Sequence, residues 1–425
     1  MKEVDTDLQY FIWLGKAFKE LALIFGSASS AGIFDAVNKL VLFIVIKKSG
    51  IKNNMVIQHL DDVCAAGKPD HEDIFKFDRT FSEIAKTLGI KLAPRDNKDK
   101  SFAPSTSGTI LGIHYDTIKW CWSVPEERLT RLLHNISDII NSNEVKQEAI
   151  WSVTGKILNI KPLIPGGDGF IHHIIRANNY SKDGCTSVPV EWDLRCQLEF
   201  WLKILPICSG NLPIPDVHSH LPPWCIEVYT DSAGGSFNSK YWHGAGVVTV
   251  NFWAFVPWTF KINSGGMASD GKAFSRKMSM LELVGPLLTM VTGYQWCRGN
   301  PVRIWVDNMG SVCIFKKGYT SSCRYATTLV LAIKTVAAAL QCNVQLEKIT
   351  RCSNHMAELA DALSKGRFDR FRQIAKLNYL AMPLDMPKVP RTLLRWLKNP
   401  VPDDNLGHKL LEEMKHYTSL LSYNC

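Results

Sequence analysis

The chain has 425 residues, 46% of them hydrophobic and 21% charged, which is material for two or three domains with real cores and excludes a disordered or low-complexity protein. Its 49 Lys and Arg against 40 Asp and Glu leave a formal charge of +9, which admits a polyanionic partner without requiring one. The twelve cysteines form no C-x-x-C pair, and the start MKEVDTDLQYF has no basic segment leading into an apolar one; an intracellular chain with reduced thiols, in nucleus or cytoplasm, is expected rather than a secreted disulfide framework.

Residues 1–120 mix apolar helical stretches with short strands. FGSASSAGIFDAVNKL at 25–40 is a small-residue turn entering a helix. The longest apolar run, LVLFIVI at 40–46, is too short to span a bilayer and is expected inside a buried element, so no membrane role follows. In MVIQHLDDVCAAG, Asp61 and Asp62 stand together after an apolar run; adjacent like charges need a cation or full solvation, and a surface turn satisfies the second.

Residues 121–210 read as mostly helical, with apolar positions at helical spacing in EERLTRLLHNISDII and EWDLRCQLEFWLKIL. NLPIPDVHSHLPPW at 211–224 carries four prolines and reads as a linker. Its HSH at 218–220 has no histidine or cysteine partners at ligand spacing, so a solvated loop is expected.

From 225 to 366 the order is three strands, helix, strand, helices, strand, helix. CIEVYTD, HGAGVVTVNF and WAFVPWTFKI form an antiparallel meander; SMLELVGPLLTMVTGY is a helix, VRIWVDN a strand, TTLVLAIKTVAAALQC a long helix, NVQLEKIT a strand and HMAELADALSKG the closing helix. The expected class is mixed α/β, a mixed sheet with flanking helices. Beyond it, RFDRFRQIAK interleaves Arg with Phe. Arg367, Arg370 and Arg372 there suit either nucleic-acid contact or the solvated basic face of an amphipathic helix. The tail 367–425 holds prolines and one short helical pattern, HKLLEEMKHY, and suggests no chemistry of its own.

Four acids in the second half have apolar neighbours: Asp231 and Asp307 at strand ends, Glu282 in MLELV and Asp361 in ELADALSK. Three of them have an ordinary reading: a turn for Asp231, a helix surface for Glu282, an i,i+4 pair with Lys365 for Asp361. Convergence of all four would make a strongly negative pocket that divalent cations neutralise.

TDSAGG, MLELV, VDN and LADALSK, in this order of elements, resemble the ribonuclease H family, specifically the ribonuclease H domain of retrotransposon polyproteins, over about 225–366. The resemblance implies hydrolysis of the RNA strand of an RNA–DNA hybrid with two Mg²⁺ ions per active site, or Mn²⁺, held by Asp231, Glu282, Asp307 and Asp361, with the RNA recognised through 2′-hydroxyl and phosphate contacts. Glu358 matches an acidic position common on the last helix, and a solvated salt bridge suits it equally. Many members carry a mobile histidine well ahead of the last aspartate. Here the stretch is KITRCSNHMAELAD, with Arg351 in the loop and His355 only six residues before Asp361.

The first half is similar to the palm of reverse transcriptases, most closely those of DIRS-like retrotransposons. FG-x-A-xx-A-xx-F, HLDD in place of an aromatic-x-Asp-Asp hairpin, the Lys98 and Lys100 region, and LGIHYDT carry this resemblance, with weaker similarity in SVTGKILNIKPLIPGG. It implies a truncated palm at 1–120, a helical thumb and connection at 121–210, and metal binding by Asp61 and Asp62. His59 replaces the usual aromatic. Asp5 and Asp7 are too close to Phe25 to be the family's first catalytic aspartate, so polymerisation by this chain alone is not expected. Missing Pol regions supplied in cis or in trans would restore it, and a catalytically inactive nucleic-acid-binding remnant is the alternative.

Overall fold

The computed structural model describes residues 10–13, 16–19, 30–68, 72–94, 103–180, 187–208, 212–213, 225–234, 242–259, 262, 267, 271–273, 277–320, 322–349, 354–378, 380 and 386–417. Lys98, Lys100, the HSH triplet, Arg351, Asp5 and Asp7 lie outside them. The class is mixed α/β. The chain divides into two compact units, Met1–Trp120 and Cys121–Cys425.

In the first unit, β1 (Tyr10–Trp13) pairs antiparallel with β2 (Lys16–Lys19). The 20-residue α1 (Ser30–Ser49) packs on α2 (Asp73–Thr87), and a hairpin of β3 (Val56–His59) and β4 (Asp62–Ala65) lies beside them. A second hairpin joins β5 (Ser107–Ile110) to β6 (Ile113–Asp116). The LVLFIVI run differs from its expected burial. It falls within α1, where a helical period allows only one face to meet α2. Val41, Leu42 and Val45 are buried there, while Phe43 is 57% exposed and Ile44 36%. No helix among the described residues is long and apolar enough to cross a membrane.

The second unit opens with β7 (Cys121–Ser123) and α3 (Glu126–Ile140), followed by β8 (Glu144–Lys146), α4 (Gln147–Ile160), α5 (His172–Asn178), β9 (Ser187–Pro189) and α6 (Trp192–Cys208). The short β10 (Leu212–Pro213) pairs with β7.

The remaining strands are β11 (Ile226–Ser232), β12 (Gly244–Val248), β13 (Trp253–Pro257), β14 (Val302–Val306) and β15 (Val344–Lys348). They form one sheet in the order β13-β12-β11-β14-β15. The first three are the antiparallel meander; β14 and β15 join parallel to β11.

The helices around the sheet are α7 (Met278–Thr292), α8 (Tyr294–Cys297), α9 (Met309–Lys317), α10 (Arg324–Ala339), α11 (His355–Ser364), α12 (Phe368–Leu377), α13 (Arg391–Lys398) and α14 (Leu406–Tyr417). Both α7 and α10 are buried nearly all round, as their continuous apolar composition dictates.

Two features were not legible in the sequence. The C-terminal segment is part of the core: Leu393, Leu397 and Leu410 are fully buried, and Asp403 N donates to Thr328 Oγ1 at 2.9 Å. The helical region before the sheet also packs on α10. Cys208 Sγ donates to Ala338 O, and Lys334, on the buried helix α10, places Nζ 2.9 Å from both Asp168 oxygens and 4.6 Å from the Phe315 ring centroid. Burial pushes the Lys334 pKa down, against the pull of Asp168.

Candidate metal centre

Asp231 lies at the end of the central strand β11, paired across β12 with Gly246. The parallel register of β11 with β14 sets Tyr229 against Trp305, so two residues further on Asp307 comes level with Asp231. The carboxyl ends of adjacent parallel strands are where open α/β sheets present functional groups, because the chain there turns away and leaves a crevice.

Glu282 comes from α7. Ser232 Oγ donates to Leu281 O at 2.9 Å, tying the residue after Asp231 to the residue before Glu282. Asn308, immediately after Asp307, caps α9 by accepting from Ser311 N at 3.1 Å and also accepts from Ser279 Oγ at 3.3 Å. Ser311 Oγ in turn donates to Ser279 O at 3.0 Å, so α7 and the end of β14 are held together.

These ties bring one oxygen each from Asp231, Glu282 and Asp307 within 4.8 Å of one another. Asp231 is 5% exposed and Glu282 1%, so Glu282 is not a helix-surface acid. Three carboxylates that close, two of them buried and Asp307 partly so, repel unless a cation joins them. An all-oxygen, anionic donor set suits a hard divalent ion.

The structure places Asp361 differently. It lines the same cavity as Asp231 and Asp307, of about 320 Å³, but is outside the three-carboxylate group. Its Oδ1 accepts from Lys365 Nζ at 2.6 Å, one helical turn on, with both side chains about one-third exposed. The helix α11 still reaches the centre through Ser364, whose hydroxyl donates to Asp231 Oδ2 in a very short hydrogen bond. Only glycine at 246 allows this approach, since a Cβ there would stand 2.7 Å from Leu363 Cβ and 2.8 Å from Ala360 O. The sequence reading missed Ser364; its position three residues after Asp361, on the same helix face, was the available signal.

Glu358 and two of the three candidate arginines, Arg367 and Arg370, also line the cavity. Arg372 turns to Asp369, at 3.5 Å. His355 is exposed at the first turn of α11, whose cap is Asn354 accepting from Met356 N at 2.9 Å.

Asp61 and Asp62 are exposed at the β3–β4 turn, where Leu60 has a φ of 53° and His59 pairs with Asp62. Among the described residues no third potential metal ligand joins them in a cluster.

No protein-family profile matches the chain, and no curated protein matches it. Among solved structures, the chain is similar to the foamy viral protease-reverse transcriptase in complex with double-stranded DNA, at 13% identity and a TM-score of 0.38, over 83% of this chain and 65% of that one. It is also similar to the dRH foamy viral protease-reverse transcriptase in complex with double-stranded DNA, at 13% identity and a TM-score of 0.39, over 83% of this chain and 55% of that one. The chain thus spans less than two thirds of each of these two structures.

Proposed function

We propose that the second unit is a metal-dependent nuclease of the ribonuclease H type, hydrolysing the RNA strand of RNA–DNA hybrids, in a chain derived from a retroelement Pol protein. One observation carries this reading: three acids from two strand ends and a buried helix meet with their oxygens within 4.8 Å. Bringing three like charges together with two of them buried is costly, and it makes chemical sense where the site is built for a cation.

Asp231, Glu282 and Asp307 would hold Mg²⁺ or Mn²⁺, with Asp361 lining the same cavity, and the ions would supply Lewis-acid activation of water and of a phosphodiester oxygen. The protein's own part is positioning. Ser364 fixes one oxygen of Asp231, and the Ser279–Asn308 contact fixes the turn that carries Asp307.

A non-catalytic nucleic-acid-binding remnant is the second reading. It is favoured by the Asp361–Lys365 ion pair, which neutralises the fourth acid outside the cluster. For the first unit, Asp61 and Asp62 lie exposed at the β3–β4 turn, and polymerisation there would need a further acid.

The deciding experiment is incubation of the full chain with a strand-labelled RNA–DNA hybrid, with and without Mg²⁺, beside Asp307→Asn. Mg²⁺-dependent cutting of the RNA strand alone, lost in the variant, is expected. A folded protein that binds the hybrid and leaves it intact selects the remnant.

A further inference from the structure

The cavity at the metal centre contains both signs of charge. Asp231, Asp307 and Asp361 line it together with Arg367 and Arg370. Asp361 is already paired with Lys365. Arg370 donates to the neutral Gln373 Oε1 at 3.0 Å, and among the described residues neither arginine forms an ion pair with the cavity's acids. Two guanidinium groups therefore remain available beside a carboxylate cluster.

Their placement is built into the fold. Gly366, with a φ of 65°, ends α11 in the left-handed conformation, and Arg367 N donates to Ala362 O at 2.8 Å, so the chain turns back over the cavity. Phe371, Ile374 and Ala375 then bury one face of α12 in the core formed with Tyr229, Met356, Leu359 and Leu363. Trp253 packs on Phe371 with ring centroids 5.4 Å apart. Arg367, at the N-cap of this anchored helix, and Arg370, three residues further on, both line the cavity, whereas Arg372 lies beside Asp369.

A ligand that satisfies both halves of such a cavity must bring negative charge to the arginines and accept cation-mediated contact with the acids. A phosphodiester strand does both, and guanidinium is the side chain best matched to a phosphate's paired oxygens. We infer that Arg367 and Arg370 form a phosphate subsite of the metal centre, holding a backbone phosphate of the nucleic-acid strand next to the one presented to the carboxylates, while Arg372 takes no part. This rests on the nuclease reading and adds to it the residues that fix the strand's position.

The test is binding without metal, so that catalysis does not enter. Fluorescence anisotropy of a labelled RNA–DNA hybrid with the full chain in EDTA, across a salt series, is compared for wild type, Arg367→Ala, Arg370→Ala, Arg370→Lys and Arg372→Ala. The first two should each weaken binding about tenfold and reduce the salt slope by about one. Arg370→Lys keeps the charge but loses the fork, and should fall between. Arg372→Ala removes the same charge from the same helix and should change affinity by less than about twofold. Unchanged thermal midpoints establish that the variants are folded. Equal losses for all three alanine variants, or no loss in Arg367→Ala and Arg370→Ala while wild type binds, would overturn the subsite. A folded wild type that binds the hybrid neither in EDTA nor with Mg²⁺ would overturn the nuclease reading itself.

Discussion

Ser364 Oγ, at the end of α11, donates a hydrogen bond to Asp231 Oδ2, at the end of the central strand β11. The hydroxyl also lies 2.9 Å from the Asp361 carbonyl oxygen, so its single proton is contested by two acceptors. A cation on the three-carboxylate cluster would keep Asp231 ionised and favour the charge-assisted bond. Ser364→Ala is therefore expected to weaken Mn²⁺ or Mg²⁺ binding about tenfold while the fold persists. Isothermal titration of metal into the variant and wild type measures this, and equal affinities would show that Ser364 serves packing alone.

The cluster itself should be a source of instability in the absence of metal. Glu282→Gln removes one of three neighbouring negative charges with almost no change of volume. In EDTA its thermal midpoint should equal or exceed that of wild type. Mg²⁺ should raise the wild-type midpoint by about 3 °C or more and leave the variant nearly unmoved. A cation-induced shift of equal size in both would remove Glu282 from the ligand set.

The Lys334–Asp168 pair is asymmetric: the Lys334 side chain is 4% exposed and that of Asp168 44%. Removing the acid strands a buried ammonium, whereas removing the ammonium leaves an aspartate that water can solvate. Asp168→Ala should cost about 3 kcal/mol and Lys334→Met about 1 kcal/mol or less. Urea unfolding of the two variants and of the double variant separates the charge contribution from packing.

His408 gives the second unit a pH dependence. Burial pushes its imidazole down to about 4, with Lys203 and Lys415 adding to the shift. The unfolded chain binds a proton near pH 6.5 that the folded chain refuses, so this stability is complete above pH 6.5. It is lost as pH falls toward 4, by on the order of 3 kcal/mol at most. Unfolding midpoints at pH 7 and pH 5 should differ more for wild type than for His408→Gln, and equal differences would count against this assignment.

Much of the fold was legible because its signals are local. Alternation and turn residues mark the three-strand meander, and helical spacing in EERLTRLLHNISDII matches α3, Glu126–Ile140. The acids Asp231, Glu282 and Asp307 stood out as carboxylates amid apolar residues, and they are the three the structure brings together.

The tertiary structure decided what depends on distance across the chain. It leaves Asp361 outside the cluster, so that of its two readings only the local pair with Lys365 is formed, and it brings Ser364 to Asp231 over 133 residues. It also makes Lys334 a buried partner of Asp168 and the C-terminal helices part of the core. A helical period shows which residues share a face, as with LVLFIVI in α1, but not whether that face is covered. Periodicity and charge are properties of a segment, whereas burial and pairing are properties of what packs against it.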